Sequence, residues 1–128
     1  MAPPSQRSTT VGEFDSWHEQ LRRGGLELAI LAAVAPRPRY GLDIIGHLEA
    51  FTDLVVTEGT IYPILARLTR DGWLVSEWRE EGSHPRKYYR LTDHGRARLT
   101  YMTDSWRSFA AKLERLIMAA QGDGDDTH

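Results

Sequence analysis

The sequence predicts a mainly α-helical fold with a two-stranded β-wing, a winged helix-turn-helix followed by a long C-terminal helix. The stretch from Val56 to Leu91 carries most of this prediction, because it has the pattern of a short helix, a tight turn and two strands joined by a polar loop. Two helical segments precede this stretch, and a regular apolar heptad follows it.

Two helices are expected before the central stretch. Leu26 to Ala35 is apolar around nearly its whole circumference, so this helix is expected at the centre of the core, ended by the prolines that follow. Gly24-Gly25 is expected to interrupt or bend the arm before it, since each glycine destabilises a helix by about 1 kcal/mol relative to alanine. The second helix is expected from about Gly41 to Ala50, with a core-facing stripe of Leu42, Ile44, Ile45, Leu48 and Phe51.

The third helix is expected to begin near Thr57, whose hydroxyl is a suitable N-cap. Pro63 should distort its first turn without breaking the helix, because the carbonyl that the ring crowds belongs to Gly59. The apolar spacing predicts a core face of Ile61, Leu65 and Leu68 and an outward face of Thr60, Tyr62, Pro63, Ala66 and Arg67.

The wing is expected to pair a strand at Val75–Arg79 with a return strand at Arg86–Leu91. The segment between them, Glu80 to Pro85, is longer than a two-residue turn, so a mobile tip is expected. Tyr88 and Tyr89 alternate along the return strand, so one of them is expected in the core.

The last element is expected to be a helix from about Asp93 to Gln121, capped by Thr92. Its apolar residues recur at alternating spacings of three and four, which is typical of helices that pack along one another. The winged-helix domain before it, which we call the head, is small and offers little surface against which such a helix could pack. We therefore predict that the helix mediates dimerisation. The predicted dimer interface consists of Leu99, Met102, Trp106, Phe109, Leu113 and Leu116.

These elements divide the chain into four segments. A disordered tail is expected at residues 1–12, a winged-helix domain with an N-terminal helical arm at 13–92, the dimerisation helix at 93–121 and a disordered acidic tail at 122–128. Two interpretations of the arm remain open: it covers part of its own core, or it packs across a dimer partner.

The composition argues against several classes of function. Cysteine is absent and the five histidines show no metal-ligand spacing, so neither a metal nor a cofactor is expected. No nucleophile–base set or glycine-rich phosphate loop indicates an enzyme. The N-terminus lacks a signal-peptide pattern and no apolar run reaches the about 18 residues of a membrane span, so a cytoplasmic protein without membrane contact is expected.

The charge distribution favours double-stranded DNA as a partner. The net charge is −2, yet between His84 and Arg98 five basic side chains stand against one acidic side chain. DNA offers a groove that accepts an α-helix and a backbone that attracts positive charge, and a dimer would recognise a palindromic operator. Helical arginines are also common on plain solvated surfaces. The candidate DNA-binding residues are Thr57, Gly59, Thr60, Tyr62, Arg67, His84, Arg86, Lys87 and Tyr88.

Five segments carry a resemblance to a known family: LRRGGLELAILAAV, YGLDII, EGTIYPILARLTRDGWL, SEWRE and PRKYYRLTDHGR. They lie within roughly residues 21–98, and on them the chain resembles the PadR family of transcriptional regulators, in its shorter subclass with one C-terminal helix. The resemblance implies a homodimeric repressor that leaves DNA when a small, often aromatic, molecule binds. It also implies that Tyr62 and Lys87 act against DNA. The extension before Leu21 departs from minimal members.

The resemblance further implies an effector site, because multidrug-binding members stack planar drugs on a tryptophan of the C-terminal helix. Trp106 falls at the corresponding place; the alternative is that it only packs against its twin in a dimer. Glu27 would favour a cationic effector, because an unpaired carboxylate in an apolar cavity is unfavourable. The expected ligand-lining residues are Glu27, Leu28, Met102, Trp106 and Ala110.

A different class of function remains as the alternative to a regulator. In it, the long helix is the functional surface of a protein-interaction module, or the chain binds a ligand without any role at DNA. The basic residues of the wing favour DNA over this alternative.

Overall fold

The chain forms four helices and a small sheet. A computed structural model describes the backbone of residues 4–126 and the side chains of residues 16–122. The predicted tails at 1–12 and 122–128 lie largely outside the described side chains, and their disorder stays a prediction. The elements in order are α1 (Pro4–Val34), β1 (Arg39–Tyr40), α2 (Gly41–Thr52), α3 (Glu58–Arg70), β2 (Leu74–Glu81), β3 (His84–Leu91) and α4 (Asp93–Asp126).

This order of elements confirms the winged helix-turn-helix with a long C-terminal helix. The sheet is antiparallel in the order β1-β3-β2, so it holds one strand more than the two expected. The added strand is only Arg39 and Tyr40, which pair with Tyr89 and Tyr88. Two residues give no alternation to recognise in a sequence, which is why β1 was not predicted.

Helix α1 runs without a break through Gly24-Gly25, so the first of the two expected effects, an interruption, was wrong, while a bend stays a prediction. Extending a helix adds one hydrogen bond per residue, whereas ending it and starting another requires a new, unfavourable nucleus. The two glycines therefore weaken α1 without dividing it. Its described N-terminal part carries Trp17 and Leu21, both exposed in the protomer.

The core forms where α1 crosses the other elements. Ile30 and Leu31 of α1 are completely buried, as expected for the Leu26–Ala35 segment. Helix α2 contributes Ile44 and Leu48, but two other members of its predicted stripe are exposed. Leu42 and Phe51 lie at the edges of α2, because only a narrow stripe of this short helix meets the core. The predicted core face of α3, Ile61, Leu65 and Leu68, is confirmed.

Helix α3 remains continuous across Pro63. Thr57 occupies the N-cap position with an extended backbone, but its hydroxyl makes no capping hydrogen bond to the helix. Instead, Thr57 Oγ1 donates to Thr60 Oγ1 at 3.2 Å. The predicted side-chain cap was therefore wrong, because a hydroxyl three residues on competes for it.

The wing is a tight hairpin, and the expected long loop was wrong. Strand pairing continues to Glu81 opposite His84, which leaves a two-residue turn of Gly82 and Ser83. Gly82 has φ +60°, the positive value that a type II′ turn requires at its first central position. This turn type suits the twist of the strands, so both strands extend further than predicted.

Helix α4 starts at a fixed point on the head. The Thr92 hydroxyl accepts from the Gly95 backbone N–H at 2.9 Å, which confirms the predicted cap, and donates to the Gly72 carbonyl at 2.6 Å. Leu99 and Met102 pack against the core of their own protomer. The apolar side chains beyond them are exposed, namely Trp106, Phe109, Leu113 and Leu116. Within residues 4–126, no helix combines the length and apolar character needed to cross a lipid bilayer.

Candidate nucleic-acid interface

Helix α3 presents one exposed stripe to solvent. Its members recur at spacings of three and four residues, which places them on the same side of an α-helix. The wing stands on one side of this stripe and α1 on the other. The stripe consists of Gly59, Tyr62, Pro63, Ala66 and Arg70.

A groove of about 510 Å³ lies between α3 and the wing. Trp78 of β2 pairs directly with Lys87 of β3, and directly paired residues point to the same face of a sheet. Both side chains line this groove together with Tyr62. The Lys87 ammonium lies 5.9 Å from the ring centre of Trp78 and equally far from that of Tyr89. Among the described residues, no acidic side chain pairs with Lys87.

Tyr62 is held close to the start of α2. A Cβ built on Gly41 would lie 2.5 Å from the Tyr62 ring, so only glycine leaves room for the ring in this place. Burial, and secondly the nearby Glu58 carboxylate, raises the pKa of Tyr62. The side chain therefore remains a neutral phenol at physiological pH, able to donate and to accept a hydrogen bond.

Tyr88, a candidate DNA-binding residue, lies on the opposite face of the wing from Lys87, and its hydroxyl is already engaged within the wing. The phenol donates to Glu81 Oε1 at 2.6 Å, and this hydrogen bond is the main reason that the pKa of Tyr88 is raised. The Arg79 guanidinium covers the ring at 4.4 Å, and Tyr40 meets its edge at 5.4 Å between ring centres. Tyr88 and Tyr89 are thus both buried, not one of the two as expected.

Arg86 completes this outer face of the wing. Its guanidinium lies over Tyr40 at 4.4 Å and reaches Glu81 at 3.6 Å. Arg86 is therefore partly neutralised, although it lines the groove together with its neighbour Lys87. The stacked rings and guanidinium groups cross-link both strands and β1, which stiffens the wing.

Arg67 lies on the flank of α3 and not on its exposed stripe, which corrects the expected outward position. One residue beyond Ala66 on a helix is about a quarter-turn away, toward α1. There Arg67 Nη2 lies 3.5 Å from Glu27 Oε2. Glu27 Oε1 in turn lies 3.5 Å from Arg98 Nη2 of α4. The unpaired carboxylate expected at Glu27 is therefore wrong as well.

The other candidate residues are divided between surfaces. Thr57 and Thr60 line a second groove, of about 570 Å³, between α3 and α1. His84 lies at the hairpin tip and is exposed. Among the basic residues that are close in sequence, Arg86 and Lys87 line the groove beside the wing, whereas Arg98 lies against Trp73 and Glu27.

Among the candidate effector residues, Leu28 and Ala110 are half-buried and Trp106 is 54% exposed in the protomer. Met102 packs on the core of its own chain. Along α4, the first residues of the heptad, Leu99 and Met102, pack against the core of their own chain. The next residue of the heptad, Trp106, is exposed to solvent. The N-terminal part of the predicted dimer interface is thus already partly buried within one chain.

Sequence reasoning missed Trp78 and Arg70 as members of the candidate site. Trp78 is 67% exposed, which is unusual for so large an apolar side chain. The signal that could have found it is the pair Gly82-Ser83, because a two-residue turn there sets Trp78 opposite Lys87. Arg70 follows Ala66 by four residues, so helical spacing alone could have placed it on the stripe.

A recognition helix beside a stiff wing, on a head that carries a long exposed helix, is the architecture of a winged-helix transcriptional regulator. The model of the "Transcriptional regulator PadR-like family" matches residues 30–101, and the chain belongs to this family. The resemblance on the sequence motifs is thereby confirmed. The chain is therefore a transcriptional regulator, as members of this family are, and it is not an enzyme.

Individual relatives agree with this assignment. Transcriptional regulator Rv3488 of Mycobacterium tuberculosis is 38% identical over 81 residues, which cover 63% of this chain and 75% of the relative. The crystal structure of a PadR family transcriptional regulator from Eggerthella lenta has a TM-score of 0.78 at 33% identity, over 86% of this chain and 96% of that one. A PadR-like transcription factor from Bacteroides fragilis has a TM-score of 0.66 at 37% identity, over 79% and 98%.

Proposed function

We propose that this chain is a cytoplasmic, homodimeric repressor that binds a palindromic operator in double-stranded DNA. The observation that carries the proposal is the groove between α3 and the wing, where Tyr62, Trp78 and Lys87 meet around the exposed stripe of the helix. The stripe is narrow enough to enter the major groove. Lys87 and Arg70 would then contact phosphates on either side of it, and Trp78 would pack against the sugar backbone.

Dimerisation is supported by the exposed apolar face of α4. Trp106, Phe109 and Leu113 follow the heptad where the helix has left its head. Two such faces packed against each other would bury this surface, and a twofold axis would relate the two heads. Each head would bind one half of a palindromic operator. Affinity for the complete operator would therefore depend on the contact between the two α4 helices, which we call the seam.

The salt dependence of DNA binding tests the proposed function. Titrating a labelled duplex, first obtained by rounds of binding selection, at several KCl concentrations is expected to give a linear fall of log K with log salt. Each neutralised phosphate contributes about −0.9 to the slope, so Arg70 and Lys87 of two copies predict about −4 or steeper. Affinity that is absent or independent of salt would favour a protein-interaction module.

We propose further that a small aromatic molecule, stacked on Trp106 in the dimer seam, releases the repressor from DNA. The exposed indole supports an aromatic effector. A cationic effector loses its support, because Glu27 is already paired with two arginines.

This effector site predicts a tryptophan-specific quenching signal. A panel of planar aromatic compounds is expected to quench the fluorescence of the protein, because a stacked ring contacts the Trp106 indole directly. The Trp106→Phe variant should lose the saturable part of the quenching, whereas Trp17→Phe serves as the matched control and should keep it. Equal quenching of both variants would contradict the proposed site.

A further inference from the structure

A single carboxylate joins three helices beside the DNA-facing stripe. Glu27 of α1 lies 3.5 Å from Arg67 of α3 through one oxygen and 3.5 Å from Arg98 of α4 through the other. The side chain of Glu27 is only 21% exposed, so water screens these ion pairs less than it would at the surface. The position of each arginine is therefore coupled to the other through one residue.

Arg98 is fixed independently of this carboxylate. Its guanidinium lies over the Trp73 ring at 4.2 Å, and its Nε is buried without a hydrogen-bond partner among the described residues. Trp73 follows directly after the turn that ends α3. Glu27 thus holds Arg67 against an anchored group, while the only other acidic partner of Arg67 within the described side chains, Asp71, is at 3.9 Å.

The Arg67 side chain is long enough that a contact with DNA could reduce the sequence specificity of binding. It lies about a quarter-turn from the exposed stripe of α3, with a side chain that is 42% exposed. Released from Glu27, a guanidinium on this flank could reach a DNA phosphate. Such a contact would strengthen binding to any sequence, because phosphates carry no sequence information.

We propose that Glu27 is a positioning residue for DNA recognition, which holds Arg67 on the α1 side of the recognition helix and away from the DNA backbone. The inference rests on the proposed function. Its consequence is that specificity arises in part from a charge that never touches DNA: Glu27 keeps non-specific affinity low and leaves base contacts to the exposed stripe of α3.

The test compares Glu27→Gln, Arg67→Gln and the double variant on a selected operator and on a random-sequence duplex. Glu27→Gln is expected to bind the random duplex about threefold or more tightly and to steepen its salt slope by about 1 per protomer, as one added phosphate contact in each copy would. Arg67→Gln alone should leave that slope unchanged, and the double variant should return to it. Glu19→Gln is the matched control, since it removes the same charge from an exposed ion pair with Arg22.

The outcomes separate this inference from the proposed function. A slope that Arg67→Gln makes shallower by about 1 per protomer in the presence of Glu27 would show that Arg67 already contacts DNA, and would overturn the inference. The same holds if Glu19→Gln steepens the slope as much as Glu27→Gln does, because the effect would then be general charge. A wild-type protein that binds neither duplex would refute the proposed function itself. Thermal melting of each variant confirms that the comparison is between folded proteins.

Discussion

Leu113→Glu is expected to convert the protein into monomers and to weaken binding to its operator by at least about 100-fold. Leu113 is 39% exposed and lies in the middle of the apolar face of α4. In a twofold seam each residue meets the same surface of its partner, so one substitution introduces two carboxylates near each other. Burying such charges without partners is unfavourable by several kcal/mol.

The loss of DNA affinity follows from the loss of the second head. When two binding units are linked, the second binds at an effective concentration in the millimolar range, which raises overall affinity by about 10²–10⁴. A monomer loses this gain although its head is unchanged. Equilibrium sedimentation and operator binding of the same sample measure both effects.

The matched control for Leu113→Glu is Ala111→Glu, which places the same charge on the far side of α4. This variant should remain dimeric and bind the operator normally. Loss of the dimer in both variants would mean that added charge, and not the position of the seam, disrupts the assembly. A Leu113→Glu protein that stays dimeric would place the seam elsewhere.

Replacing both Arg70 and Lys87 with alanine is expected to weaken binding to operator and random DNA by similar factors. Arg70 belongs to the exposed stripe of α3 and Lys87 lines the groove beside it, and no acidic side chain within residues 16–122 pairs with either of them. Phosphate contacts are read equally in every sequence. The salt slope should therefore become shallower by about 2 per protomer, while the ratio of operator to random affinity stays nearly constant.

Arg107→Ala combined with Arg115→Ala is the matched control for this pair of substitutions. It removes the same charge from exposed positions of α4 that are distant in sequence from the wing. Its salt slope should stay close to that of the wild type. If the Arg70/Lys87 variant instead loses operator binding selectively, these residues contact bases and the assignment to the backbone is wrong.

Long, regular patterns in this sequence predicted structure well. Leu26–Ala35, the spacing of Ile61, Leu65 and Leu68, and the Thr92 cap each follow from local rules, because the residues concerned lie within a few turns of one another. The family motifs located Tyr62 and Lys87 on the same candidate surface, and the structure brings both to one groove.

The errors arose where a side chain's environment is set by another element. Nothing in the spacing of α3 indicates that Arg67 has an acidic partner forty positions earlier in the chain. Gly24-Gly25 was judged by intrinsic propensity, which a long helix overrides. Phe51 and Leu42 had the correct period, but period alone does not say how wide a stripe the core can cover.

The wing shows how one local error spreads. Treating Glu80–Pro85 as a loop removed two cross-strand pairs, Glu80 with Pro85 and Glu81 with His84, from the expected hairpin. The face on which Trp78 lies could not then be assigned. A correct turn of two residues would have fixed the whole register, since every later pair follows from it.

The anchorage of α4 makes the helix a lever. Thr92 binds both the turn after α3 and the first turn of α4, so each recognition helix should tilt with its own long helix. The middle of the exposed face, near Leu113, lies about 30 Å along the helix from this fulcrum. In the proposed dimer, a rotation of one degree about the seam would therefore move each head by about 0.5 Å, and a few degrees would shift the two heads by more than the tolerance of a hydrogen bond. A small molecule that opened the proposed seam would therefore need no contact with the recognition helices to change their spacing relative to the 34 Å repeat of DNA.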